Sequence, residues 1–294
     1  MELRVLGYFL AIAREQSIVK AAAALHLSQP TLSTQIKALE EELGKQLLVR
    51  GSKGSRKITL TEEGMLLKKR AEEILSLVQK TEREISFSDE IIIGDIYIGA
   101  GETDAVRCIA RVARELNAKY PGVRYHIASG NAAFVMEQLD RGLIDFGLVF
   151  GEVNHNKYNS LTLPFKDTWG VLMRRDSPLA SKAAVAPEDL WDKPLIISSQ
   201  GNHKAEFLAW AEKDLHKLNV VATFNLMFNA SLMVEEGLGY AVGLDKIIHT
   251  SEAGPLCFRP LKDRPQAGMS VIWKKYQVFS KASEKFIEKL RQSF

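Results

Sequence analysis

Apolar side chains recur at a helical spacing of three and four residues through the first part of the chain. This spacing predicts one helix over roughly residues 3–15 and another that begins just after Ser28. The apolar stripes of these two helices consist of Leu6, Phe9, Leu10 and Ala13, and of Leu32, Ile36, Leu39 and Leu43. An Ala-rich segment over residues 20–25 predicts a short helix between them, because small side chains allow helices to cross closely.

The second and third helices are separated by little more than His26 and Leu27. Ser28 is a suitable N-cap for the third helix, and Pro30 is tolerated in its first turn. Two helices joined by three or four residues predict a helix-turn-helix over about residues 18–37, although the Gly common in that turn is absent. In this motif the second helix enters the major groove of DNA. An ordinary packed pair of helices is the alternative.

The face of the third helix opposite its apolar stripe is small and polar rather than strongly charged, which suits a surface that lies in a groove. We predict that residues on this side of the helix and at its start contact DNA. The predicted contacts are Gln29, Pro30, Thr31, Ser33, Thr34 and Lys37.

Two short apolar segments, residues 47–50 and 57–60, flank the basic loop GSKGSR and predict a β-hairpin. A hairpin that follows a helix-turn-helix is a wing. We therefore predict that Arg50, Lys53 and Arg56 contact phosphates or the minor groove. A solvated surface hairpin is the alternative.

A long helix is predicted after Thr61, which is a suitable cap for it. Its apolar residues recur on one seam, and a helix with a single seam needs a partner. The seam consists of Leu67, Ala71, Ile74, Val78 and Ile85. The partner is either a second copy of the chain or another part of the same chain. We favour a dimer, because one recognition helix contacts too few bases.

From Ile91 onward, short apolar strands alternate with amphipathic helices. Two successive parallel-sheet units with a late return predict two lobes around a cleft, with ligand at the carboxyl ends of the strands. The predicted strands are residues 96–100, 123–128, 146–150, 170–173, 195–198, 222–226, 240–244 and 271–273. The predicted helices are residues 103–119, 132–141, 205–215, 231–236 and 281–290.

Three of the predicted strand-to-helix turns combine Gly with hydroxyl or amide side chains, and a fourth carries an Asn. Backbone N–H groups at a helix N-terminus hold an anion without a fixed positive charge. We therefore predict a small, carboxylate-bearing effector in the cleft, with Phe146 and Phe165 as apolar walls. Ordinary helix capping is the alternative. The residues predicted to contact the effector are Gly101, Glu102, Thr103, Ser129, Asn131, Phe146, Ser199, Gln200, Asn202 and Asn229.

Charge is unevenly placed along the 294 residues. The net charge is +3, but residues 1–60 contain nine Lys/Arg and five Glu, so this part alone carries +4. A basic N-terminal unit fits a partner with phosphates. The two cysteines, Cys108 and Cys257, are far apart in sequence, which favours reduced thiols and the cytoplasm. The sequence has no signal peptide, membrane-length apolar run, metal-ligand spacing or catalytic motif, so we predict neither an enzyme nor a cofactor, metal or membrane partner.

The segment AAAALHLSQPTLSTQIKALEEELG, residues 21–44, resembles the signature of LysR-type transcriptional regulators almost position for position, and weaker similarity extends to the C-terminus. The resemblance implies a multidomain fold with an N-terminal α winged helix-turn-helix domain, a long linker helix and a C-terminal α/β domain. That last domain is similar to type 2 periplasmic binding proteins and has two lobes. The implied boundaries are 1–60, 61–88 and 89–294, with lobes over about 91–163 and 164–268 and a return over 269–294.

The resemblance further implies a sequence-specific regulator that binds double-stranded DNA as a dimer or tetramer, with antiparallel linker helices and an effector between the lobes. Two features depart from the family pattern. The loop of the wing is a few residues longer than usual, and Thr34 stands where many members carry Arg, which removes a bidentate guanine donor. The alternatives are a two-lobed enzyme with an N-terminal regulatory unit, and a solute-binding module that scaffolds partners.

Overall fold

A computed structural model of the protein describes residues 1–50, 57–86, 92–151, 153–263 and 267–294. The chain divides into two compact units, Met1–Ser88 and Asp89–Phe294. Each unit has hydrophobic core residues of its own.

The first unit consists of three packed helices, a two-stranded hairpin and a long helix. Its elements are α1 (Leu3–Glu15), α2 (Ile18–Ala24), α3 (Gln29–Leu43), β1 (Leu48–Arg50), β2 (Ile58–Leu60) and α4 (Glu62–Ser86). The stripes predicted for α1 and α3 meet in one core, where Phe9, Leu32 and Ile36 are at most 2% exposed. Leu43, by contrast, is 40% exposed, because it lies in the last position of α3.

Local sequence sets the ends of these helices. Ser17 and Ser28 cap α2 and α3, each by accepting a hydrogen bond from a backbone N–H in the first turn. Gly44 ends α3 with a φ of +63°, the left-handed conformation that glycine adopts most easily. In the turn between α2 and α3, His26 has a φ of +54°. The turn therefore keeps a left-handed residue although it contains no glycine.

The hairpin is tethered to the helices. β1 and β2 pair in antiparallel fashion, with Leu48 opposite Leu60. In α3, the Glu40 carboxylate accepts the backbone N–H groups of Leu47 (2.7 Å) and Leu48 (3.1 Å). A Cβ atom at Gly64 would lie 2.2 Å from the Leu47 carbonyl oxygen, so the start of α4 passes too close to the hairpin for any side chain there.

The first lobe of the second unit is built on a five-stranded sheet. Its elements are β3 (Gly94–Ala100), α5 (Val106–Lys119), β4 (Val123–Ser129), α6 (Ala132–Asp140), β5 (Phe146–Phe150), β6 (Tyr158–Asp167) and, after the second lobe, β12 (Ala267–Lys274) and α9 (Lys281–Ser293). The strand order is β4-β3-β5-β12-β6. β3, β4 and β5 are parallel, whereas β12 returns antiparallel between β5 and β6. Residues of α5 and α9 complete the core of this lobe.

The second lobe repeats the arrangement. Its elements are β7 (Trp169–Arg174), β8 (Leu195–Ser198), α7 (Gly201–Ala211), β9 (Val220–Phe224), α8 (Met227–Glu235), β10 (Tyr240–Leu244) and β11 (Leu256–Pro260). The strand order is β11-β7-β10-β8-β9, in which β8, β9 and β10 are parallel. β7 runs antiparallel to both β10 and β11. The predicted two-lobed α/β fold is confirmed.

Two strands, β6 and β11, are absent from the sequence prediction. Both contain a proline, Pro164 and Pro260, and proline argues against a strand because it cannot donate a ladder hydrogen bond. Both strands lie at a sheet edge, where that loss is tolerated. β6 runs on to Asp167, so the chain first crosses between the lobes at residues 167–169 rather than at the predicted 163–164.

Candidate DNA-binding face and effector cleft

α3 presents two faces of opposite character. Leu32, Ile36 and Leu39 are buried against the other helices. Five of the six predicted contact residues on α3 are exposed, and Ser33 is half-buried. The exposed residues are Gln29, Pro30, Thr31, Thr34 and Lys37. The buried stripe thus fixes the rotation of the helix, so that its small polar residues face outward.

The start of α3 is ordered by a short hydrogen-bond network. Ser28 Oγ accepts the backbone N–H of Thr31 at 3.2 Å and lies 2.7 Å from Thr31 Oγ1. The Thr31 hydroxyl is therefore held near the helix N-terminus, where the helix dipole also favours an approaching phosphate. Six residues after Thr31, Lys37 Nζ lies 3.4 Å from Glu41 Oε1, with both side chains well exposed. An exposed pair of this kind is weak, so the Lys37 ammonium remains available to a stronger anion.

The wing is described only in part. Arg50 is paired with Ile58 in the β1–β2 ladder, but its side chain lies outside the described residues. Lys53 and Arg56 lie outside them entirely. Their predicted contacts with phosphates remain sequence-based expectations.

In the second unit, a cleft that opens to solvent lies between the two lobes. Its walls are largely apolar, and they come from the carboxyl ends of β5 and β10 and from the strand-to-helix turns. The apolar lining residues are Ala132, Leu148, Val149, Phe150, Trp169, Phe224, Met227, Val242, Leu244 and Ile247. The polar lining side chains are Glu102, Asn131, Ser198, Gln200 and Asn225. Of the described residues in this lining, Glu102 alone carries a formal charge.

Comparison with known proteins gives the family. Residues 3–65 match the model of the bacterial regulatory helix-turn-helix protein of the lysR family, and residues 92–294 match the LysR substrate binding domain. The second match alone covers more than half of the chain. The chain belongs to the LysR family of transcriptional regulators.

Individual relatives extend over most of its length. A probable RuBisCO transcriptional regulator of Synechocystis sp. is 30% identical over 292 residues, which cover 97% of this chain and 84% of the relative. The hydrogen peroxide-inducible genes activator of Pectobacterium carotovorum is 29% identical over 222 residues, 74% of this chain and 72% of that one. The solved structure of CbnR, a LysR family regulator, matches with a TM-score of 0.79 at 20% identity and covers 100% of this chain and 99% of CbnR.

Four of the residues predicted for the effector site line the LysR-type cleft: Gly101, Glu102, Asn131 and Gln200. Asn131 is also an N-cap, since its Oδ1 accepts the Phe134 N–H at 2.9 Å. The Gln200 N–H donates to Ser198 Oγ at 3.2 Å, so a buried serine orders this turn. The Asn131 turn therefore behaves as the capping alternative expects, whereas Gln200 gives α7 no side-chain cap.

Thr103 follows the lining residue Glu102 in sequence but does not itself line the cleft. It is buried, its hydroxyl donates to Asp167 Oδ2, and Oγ1 accepts the Ala105 N–H at 3.0 Å. Burial raises the pKa of Asp167, and the hydrogen bond from Thr103 partly offsets that rise. Because Asp167 is the last residue of β6, this contact fastens the turn after β3 to the point where the chain enters the second lobe.

Two predicted aromatic walls belong to the core of the first lobe instead. Phe146 is fully buried, with its ring centroid 5.1 Å from those of Phe279 and Phe286. Phe165 packs edge-on against Phe294 at 5.8 Å. In a strand buried on both faces, such as β5, an apolar pattern does not tell which residues face the ligand.

Three further predicted residues lie elsewhere, and one is undescribed. Ser129 and Ser199 are exposed at the ends of their strands and are absent from the cleft lining. Asn229 is the third residue of α8 and points to solvent, because β9 ends at Phe224 and the turn comes earlier than predicted. Asn225 lines the cleft at the position that was predicted for Asn229. The side chain of Asn202, in α7, lies outside the described residues.

Several residues that line the cleft were not predicted from the sequence. Trp169 follows the crossing between the lobes, and Val242 and Leu244 lie near the carboxyl end of β10. Val242 and Leu244 could have been found from their position alone, because in a doubly wound sheet ligands contact the carboxyl ends of parallel strands.

Metal-ligand clusters are absent from the described part of the chain, and each helix in it is too short or too polar to cross a lipid bilayer.

Proposed function

We propose that this protein binds specific sites on double-stranded DNA as a dimer, or as a dimer of dimers, in the cytoplasm. In this proposal α3 lies in the major groove, Thr34 and its neighbours contact base edges, and the hairpin follows the DNA backbone. The observation that carries the proposal is the small, polar, exposed face of α3, held in place by its buried stripe. The solved complex of CbnR with its target DNA, of the same fold, supports it.

The surface of α4 supports a dimer. Of the predicted seam, Ala71 is buried, Leu67, Ile74 and Val78 are half-buried, and Ile85 is 78% exposed. Met65, Leu66 and Leu77 on the same helix are also exposed. A helix that leaves large apolar side chains exposed has a surface for another helix. We assign that surface to a second copy, because two-fold symmetric dimers match paired half-sites.

For the cleft we propose a small-molecule effector with an apolar body and an acidic group. Apolar walls with a few amide and hydroxyl groups are typical of small-molecule sites, in which the polar groups fix the orientation of the ligand. An effector that binds the closed and open lobes unequally shifts the population between them. In this proposal that shift rearranges the linker helices and the DNA-binding domains.

The two cysteines do not favour a thiol-based response to peroxide as the signal, although one relative is named for hydrogen peroxide. Cys108 and Cys257 are both buried. Burial raises the pKa of Cys108, which disfavours the reactive thiolate. The two cysteines also lie in different lobes, on α5 and β11.

The test is selection of binding sites from sheared genomic DNA with the purified full-length protein at low salt. We expect enrichment of discrete fragments that carry two half-sites about one helical turn, or a whole number of turns, apart. Recovery no better than for random fragments, with and without extracted metabolites, would contradict the DNA-binding proposal.

A further inference from the structure

Glu102 connects the two lobes. It lies in the turn after β3 of the first lobe, and its Oε2 accepts the backbone N–H of Met227, the first residue of α8 in the second lobe. Leu226, the N-cap residue of α8, offers no side-chain acceptor. The cap of this helix is therefore supplied from across the cleft, by a residue 125 positions earlier in the chain.

The position taken by the Glu102 carboxylate is the one best suited to an anionic ligand. A helix N-terminus offers unpaired N–H groups and the positive end of the helix dipole. The surrounding walls are apolar, and the described lining contains no cationic side chain. Two carboxylates close together in such surroundings repel strongly, so one of them must leave or become protonated.

We infer that Glu102 is an internal substitute for the acidic group of the effector. Without ligand, its carboxylate caps α8 and latches the two lobes; a ligand carboxylate takes its place and releases the latch. The inference rests on the proposed effector site and adds its regulation. It also implies that the latch lowers the apparent affinity for acidic ligands, since the binding-competent state is only a fraction of the population.

The first test is a matched ligand pair, cyclohexanecarboxylate and its neutral amide, titrated into the full-length protein and followed by tryptophan fluorescence. Trp169 lines the cleft, and neither ligand absorbs at the excitation wavelength. The variants are Glu102→Ala, Glu102→Gln, which keeps the shape without the charge, and Glu252→Ala as a control on an exposed loop.

We expect both Glu102 variants to bind the carboxylate roughly 5- to 150-fold more tightly than the parent protein, the ordinary range for coupled equilibria. Affinity for the amide should change much less, and Glu252→Ala should match the parent. Carboxylate affinity that is unchanged, lower or undetectable in both Glu102 variants overturns the inference.

The second test needs no ligand. Hydrogen exchange of the first turn of α8, residues 227–229, should be faster in Glu102→Ala than in the parent protein, with α5 unchanged. Equal protection in the two proteins means that Glu102 does not latch the lobes. Because this exchange is measured without ligand, it separates the two failures: no ligand binding by any variant contradicts the proposed effector site, whereas unchanged exchange contradicts the latch.

Discussion

The two binding regions of this protein have opposite chemistry. The outer face of α3 is exposed, and the single charge among its predicted contacts is the Lys37 cation. The cleft has apolar walls, and the single charge in its described lining is the Glu102 anion. An exposed face can use long-range attraction to phosphates for affinity and short polar contacts for specificity. A cleft with little charge must select its ligand by shape and by a few polar groups.

The regions also differ in what supports them. The face of α3 rests on a core directly beneath it, made by residues within the first sixty positions. The cleft rests on contacts between distant residues, such as Thr103 with Asp167 and Glu102 with Met227. Damage to the core should therefore abolish DNA binding as a whole, whereas changes around the cleft should adjust the response to ligand.

The largest effect is expected for Leu32→Ala. Leu32 is fully buried beneath the face of α3, so the substitution should lower the free energy of unfolding of the first unit by about 2–5 kcal/mol. Thermal denaturation and binding to a selected DNA site give the measurement. Val19→Ala, at a 67% exposed position of α2, is the control and should cost no more than about 0.5 kcal/mol. Equal losses in the two variants would mean that the stripe does not support the face.

A smaller effect on DNA binding alone is expected for Thr34→Ala. If Thr34 contacts a base edge, the variant should lose about 1–3 kcal/mol of binding free energy on a selected site. Binding to a random duplex should be almost unchanged. Fluorescence anisotropy on both duplexes gives the measurement, with Thr223→Ala in the second unit as the control. Equal loss on both duplexes would remove Thr34 from the base-contacting residues.

Lys53→Ala should show the opposite pattern, because a phosphate contact carries no sequence information. Both duplexes should be bound more weakly, and the slope of log affinity against log salt should fall by about 0.9, the value for one phosphate contact. Lys217→Ala, an exposed position in the second unit, should leave the slope unchanged. An unaltered slope for Lys53→Ala would place the wing away from the DNA backbone.

The first unit was largely predictable because its signals are local. Ser28, Pro30 and Gly44 mark the ends of α3 within sixteen residues of one another, and the helical period between them gives its buried side. Most of the fold of the second unit was also predictable, since β5, β8 and β10 are bounded by clear turns, but the edge strands β6 and β11 were missed.

The detailed cleft was not predictable, because it depends on how far strands extend and which distant groups pair. Because β9 ends early, at Phe224, Asn225 rather than the predicted Asn229 lies at the turn into α8. The proline in β6 argued against a strand there, so the sequence did not predict the strand that leads into the second lobe. No local pattern indicates that Glu102 caps α8 or that Phe146 faces the core rather than the ligand. Such facts require the tertiary arrangement, in which residues far apart in sequence share one surface.

The smallest expected effect concerns the support of the cleft and is a pH dependence. Burial raises the folded-state pKa of Asp167 above its unfolded value. The ionised carboxylate therefore destabilises the fold above that raised pKa, and the penalty disappears as pH falls below the unfolded pKa. Asp167→Asn keeps an acceptor for Thr103 without the charge, so it should be at least as stable as the parent at pH 7. Urea unfolding should show this advantage shrinking towards pH 4; a deficit at pH 7 that persists at pH 4 would mean that the carboxylate itself is needed to join the lobes.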